Sequence, residues 1–206
     1  MKRAAAVSLV VLAISAMGCI GSAAPASAVE FHASTVGASV SGVQATLLKW
    51  TTTGTSQTCS SVKFTGKTAA VSSPTQQLHP EFSECTSFGF ISSVFNTLGC
   101  QFLLHAQTGT MDLQSCASGA LVVTSSSAFG RCVWEVPNQA GINGLTWATE
   151  GTSPSRDILW TLNATNIKTK VTTSTGICPL TVGEHTNTTL TGTVTLKAAS
   201  GEIWYA

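Results

Sequence analysis

Polar and apolar residues alternate with period two along most of this chain. In Ile158-Leu159-Trp160-Thr161-Leu162-Asn163, Ile158, Trp160 and Leu162 share one face. In Thr191 to Lys197, Val194 and Leu196 oppose Thr193, Thr195 and Lys197. Cys132, Trp134 and Val136 fall on one side, with Val133 and Glu135 on the other. Successive side chains of a strand point to opposite faces, so this is the pattern of half-buried antiparallel strands. It predicts strands near 31–36, 39–50, 58–66, 75–82, 91–96, 100–106, 110–116, 120–125, 131–136, 145–150, 157–163, 166–173 and 190–197. Thr53-Gly54, Ser72-Ser73-Pro74, Pro137 to Gly144 and Gly151 to Pro154 punctuate them as turns. Helical periodicity is confined to the first residues. Many short strands separated by turns define an all-β chain, expected as a single antiparallel β-sandwich or flattened barrel.

The start of the chain is different. Lys2 and Arg3 precede an apolar run over 4–20, then a small-residue segment ending Ala26-Ser27-Ala28. This is the layout of a secretory signal peptide over 1–28, leaving one all-β domain over 29–206 that is exported. An uncleaved anchor is one alternative, but the run is short of the ~20 apolar residues a span needs. Lipidation at Cys19 is another, because Ala16-Met17-Gly18-Cys19 sets a small residue before the cysteine; the protein would then be tethered. Past Ala28 no apolar run reaches membrane length.

Charge narrows the partners. The chain has ten Lys and Arg against nine Asp and Glu. No basic stripe exists, so nucleic-acid binding has no electrostatic footing. Thr and Ser supply the polar positions instead, and branched threonine suits a pleated surface.

Six cysteines remain after the leader: Cys59, Cys85, Cys100, Cys116, Cys132 and Cys178. In an exported chain they read as three disulfides. One pairing follows from geometry. Cys100 and Cys116 lie symmetrically about Thr108, and Gly109 sits where a three-residue loop Gln107-Thr108-Gly109 wants a left-handed residue. That register sets Cys100 opposite Cys116, within the span of a disulfide. Cys59 with Cys85, and Cys132 with Cys178, follow by sequence order alone. No C-x-x-C is present, so neither a redox motif nor a zinc knuckle is indicated.

Candidate chemistry is sparse. His79-Pro80-Glu81 with Glu84 is the densest polar group and reads as a solvated loop before Cys85; two ligands do not make a metal site. His105 and Asp112 fall close together in the proposed hairpin, but no G-x-S-x-G accompanies them. Glycoside hydrolysis needs two carboxylates across a cleft, and those here are scattered. No cofactor is indicated. Asn163-Ala164-Thr165 and Asn187-Thr188-Thr189 match the glycosylation sequon, as a threonine-rich chain would by chance. Trp134 and Trp160 share faces with apolar residues and read as core. Trp50, Trp147 and Trp204 are candidate platforms for stacking on sugar rings, which makes cell-wall or extracellular glycan the candidate partner. The expected function is a secreted or wall-associated, non-enzymatic binding or structural domain. The alternative is a secreted hydrolase whose site assembles only in three dimensions.

Leu190-Thr191-Gly192-Thr193-Val194, Cys59 to Gly66, Ser83 to Gly89 and Leu98-Gly99-Cys100-Gln101-Phe102 resemble segments of uncharacterised secreted proteins of soil actinobacteria. The resemblance spans nearly the whole chain after the leader. It implies export and a bacterial source, and no activity.

Overall fold

The computed structural model describes residues 28–176 and 178–206. The leader up to Ser27, Cys19 with it, lies outside the described residues. Fifteen strands follow in order: β1 Phe31–Ala33, β2 Ser39–Thr52, β3 Thr55–Lys67, β4 Ser72–Ser73, β5 Thr75–Ser87, β6 Ile91–Asn96, β7 Gln101–His105, β8 Thr110–Gln114, β9 Ala120–Ser127, β10 Gly130–Pro137, β11 Gln139–Ile142, β12 Leu145–Glu150, β13 Asp157–Ser174, β14 Gly183–Ala198 and β15 Ile203–Tyr205. Among the described residues no helix is long and apolar enough to cross a membrane.

Eight strands close a barrel in the order β5-β3-β2-β14-β13-β10-β9-β6, with β6 returning to β5. Every neighbouring pair is antiparallel. Closure removes the exposed edges that an open sheet would present. β5 and β13 each divide one edge between two partners. The first half of β5 pairs β7, and β8 and β11 continue outward from there. The first half of β13 pairs β12. A small sheet, β15-β1-β4, covers the base. There Phe31 meets Trp147 edge-on at 5.1 Å, and Glu30 and Ala206 exchange backbone hydrogen bonds.

The barrel is filled, not hollow. Trp50, Trp134, Trp160, Phe64 and Phe102 are among the largest fully buried side chains. Phe64 links the two halves of the core, 5.2 Å from Trp160 and 6.3 Å from Phe82. Edge-to-face pairs of this kind add about 0.5–1.5 kcal/mol beyond area burial. Above the aromatic layer the interior turns polar. Thr52, Gln57, Ser87, Ser93, Ser125, Thr169 and Thr188 are all buried there, and they come from seven of the eight barrel strands. Ser87, Ser93 and Ser125 form a closed triangle of hydroxyl contacts at 2.7, 2.7 and 2.8 Å.

Three disulfides are present: Cys59–Cys85, Cys100–Cys116 and Cys132–Cys178. The first joins directly opposed residues of β3 and β5. The second joins the expected pair by a different register. The β7–β8 hairpin pairs Gln101 with Gln114 and closes at His105 and Thr110, so its loop has one residue more than expected. Cys100 is therefore level with Ser115, and Ser115 adopts φ 58° to bring Cys116 back to its partner. Gly109, at φ 61°, occupies the left-handed position as anticipated. The third disulfide ties β10 to the β13–β14 connection. That connection crosses the upper rim so closely that a Cβ on Gly176 would strike the carbonyl of Phe129.

Candidate functional site

An open groove of ≈ 750 Å³ lies on the outside of the barrel. It lies toward the base, where β3 ends at Lys67 and β5 begins at Thr75. Outward-facing positions of four adjacent strands line it. Register sets Ser41, Thr65 and His79 abreast across β2, β3 and β5. One step lower, Ser39 pairs Lys67, and Gln77 pairs Leu103 of β7. Gly66 lets β3 and β5 come close, since a Cβ there would strike the Gln77 carbonyl oxygen and lie 3.0 Å from Leu78. The floor is held by buried Gln76, whose amide donates to the carbonyls of Lys67 at 3.1 Å and Gln77 at 2.9 Å. Thr68 fixes the rim through its hydroxyl, which donates to the Thr35 carbonyl at 2.7 Å.

This lining can do specific chemistry. Five hydroxyls, those of Ser39, Ser41, Thr65, Thr68 and Thr75, can donate and accept, the Gln77 amide does the same, and Lys67 adds a positive charge with three N–H donors. Leu103, Val40 and Ala69 give apolar contact. No carboxylate lines the groove. The volume lies in the range of sites that take small molecules or short polymer segments. By contrast, the hollows beside Ser125 and beside Thr68 hold only ≈ 10 Å³ each, about one water.

The residues singled out in the sequence fall as follows. His79, Pro80 and Glu81 are not in a loop; they lie within β5, opposite Thr65, Phe64 and Lys63. Pro80 is buried, while His79 and Glu81 face outward. The alternation slips at Ser83 and Glu84, where Glu84 takes φ 52° and both residues face solvent. Glu84 accepts from the Ser60 hydroxyl at 2.8 Å. His79 is thus the only member of that group in the groove.

His105 and Asp112 do meet, at 3.0 Å, and the other carboxylate oxygen of Asp112 accepts from the Gly141 amide. Among the described residues no hydroxyl is hydrogen-bonded to the His105 ring. Among the described residues no group of three or more His, Cys, Asp or Glu could hold a metal ion.

The tryptophans require a correction. Trp50 is 1% exposed and packs edge-on against Trp134. Trp147 is 9% exposed, between Trp160 and Phe31. Neither can present a ring face to a sugar. Both lie on inward positions of their strands, and their bulk fills the barrel. Trp204 is half-buried, but its ring is already engaged: the Arg156 guanidinium carbon lies 3.7 Å from its centre, and His32 stacks at 5.3 Å. Arg156 is in turn gripped by the nearly buried Glu202, at 2.9 and 2.6 Å. This cluster pins the base sheet to the barrel.

The groove itself was missed by sequence reasoning. Its side chains are ordinary strand residues, and only the register of four strands brings them together. Comparison with known proteins finds no matching family model, no similar curated protein and no similar solved structure.

Proposed function

We propose that this protein is an extracellular, non-enzymatic binding domain that takes a neutral glycan along the groove of β2, β3, β5 and β7. One observation carries the reading: an open hollow of ≈ 750 Å³ lined by Ser39, Ser41, Thr65, Gln77 and His79 beside the aliphatic Leu103. Sugar hydroxyls need partners that both donate and accept, and sugar C–H faces need apolar contact. The lack of a carboxylate in the lining favours binding over glycoside hydrolysis, which uses two. The setting is outside the cell, free or wall-associated, as the leader and the resemblance to secreted actinobacterial proteins suggest. Three disulfides suit an oxidising compartment.

The test is retention on purified cell wall and on a polysaccharide array. Wild type is expected to bind at least one neutral polymer, and Gln77→Ala with His79→Ala to weaken that binding roughly tenfold, since each lost hydrogen bond contributes about 0.5–1.5 kcal/mol. Retention on none of the polymers, or equal retention of the double variant, would sink the proposal.

A further inference from the structure

We infer that the upper rim of the barrel, at the opposite end from the Glu30–Ala206 pair, docks on a lipid bilayer surface. Four connections form this rim: 53–54, 88–90, 128–129 and 175–182. Phe90 and Phe129 stand on two of them, 77% and 75% exposed, more than any other large apolar side chain described. They project from neighbouring strands, because Ser93 of β6 pairs Ser125 of β9 just below. Val182, 64% exposed, lies on a third connection.

The turn that presents Phe90 is held in an uncommon shape. Phe88 takes φ 56° and Gly89 φ 80°, and the Phe90 amide donates back to the Ser87 carbonyl. A bulky residue in the left-handed region persists only where its surroundings enforce it. Phe129 is similarly fixed, its amide donating to the Ser127 hydroxyl and its carbonyl backed by Gly176.

Charge distinguishes the occupant. None of the four connections contains Asp or Glu. The nearest charge to Phe129 in the chain is Arg131, which is exposed. Arg131 beside the phenylalanine tips matches the anionic headgroups above an acyl layer, while exposed Glu184, just past Val182, is set opposite Lys170 of β13 in register. Shape points the same way. The chain neighbours of the two phenylalanines, Gly89, Ala128 and Gly130, are small, so the rim offers separate apolar points. A protein partner needs a face of matched shape, whereas a fluid interface closes round each point.

Co-sedimentation with vesicles of phosphatidylcholine, with and without phosphatidylglycerol, tests this. The full chain and the chain from Val29 are both carried, so that binding by the leader's own apolar run is separated. Expected is sedimentation of the chain from Val29 at millimolar lipid, strengthened by phosphatidylglycerol and weakened roughly tenfold in Phe90→Ser/Phe129→Ser. A second measurement uses Phe90→Trp, whose emission should shift to the blue on vesicles and be quenched by brominated lipid, unlike the buried tryptophans of the wild type. Three results would each overturn the inference: no sedimentation of the chain from Val29, equal sedimentation of the double variant, or a wild-type dimer in lipid-free buffer that the double variant abolishes. The last would make the rim an interface between copies.

Discussion

Single side chains at the base show how position overrides residue type. Trp204 is, in sequence, one of three candidate platforms. It is held by Arg156, and Arg156 is held by Glu202. The hydrogen bond from Arg156 keeps the Glu202 carboxyl below its usual 4.5, against the opposing effect of burial. A carboxyl depressed in the folded state adds stability that is fully present above the unfolded value and is lost as pH falls through the folded one. Thermal melting should therefore drop as pH is lowered from about 4.5, and Glu202→Gln should flatten that part of the profile while lowering stability at neutral pH. An unchanged acid profile in Glu202→Gln would show that other carboxylates set it. Trp50 and Trp147 could not be sorted from sequence for a related reason. Alternation says which residues share a face, but not which face is inside.

At the scale of strands and hairpins, the period-two pattern was legible wherever apolar residues mark alternate positions, as in β6 and β12. It failed where they do not. β13 runs unbroken over Asp157–Ser174, although the sequence reads as two strands, 157–163 and 166–173. Asn166 takes φ 57° and the register shifts there, so the strand bends without ending. β14 begins at Gly183 and not near 190, because Glu184 to Thr189 offer no apolar residue to signal it. The Cys100–Cys116 pair was legible because its hairpin is local, although the register differed by one residue. The other two pairings needed the closed sheet. Their separations also rank them. By loop-closure entropy, removing Cys132–Cys178, separation 46, should cost about 4 kcal/mol, and removing Cys100–Cys116, separation 16, about 3 kcal/mol. Paired Cys→Ala variants melted side by side should follow that order, with Cys59–Cys85 between, and full reduction should lower the melting temperature sharply. Melting unchanged by reductant would contradict the whole ranking.

For the whole molecule, an all-β sandwich or barrel with three disulfides was legible, and the choice of the closed barrel was not. Closure depends on β5 pairing β3 along its length while sharing its other edge between β7 and β6. No local pattern encodes that division. The groove and the rim share this origin. One is assembled by the register of four strands, the other by four turns that only the barrel brings to one end. If both proposals hold, the protein meets a polymer on its flank and a membrane at its tip.

The pairing of Glu30 with Ala206 has a mechanical consequence. The two are hydrogen-bonded neighbours, and higher up β2 leaves the base beside β14, with Val40 opposite Ala198. Tension applied between Glu30 and Ala206 would open these antiparallel pairs from their tips, one rung at a time, and would not shear many rungs together. The barrel should thus yield at low force, however well it resists heat. Extension would then stop short at the covalent links, which leave the loops between Cys59 and Cys85, Cys100 and Cys116, and Cys132 and Cys178 out of the stretched path.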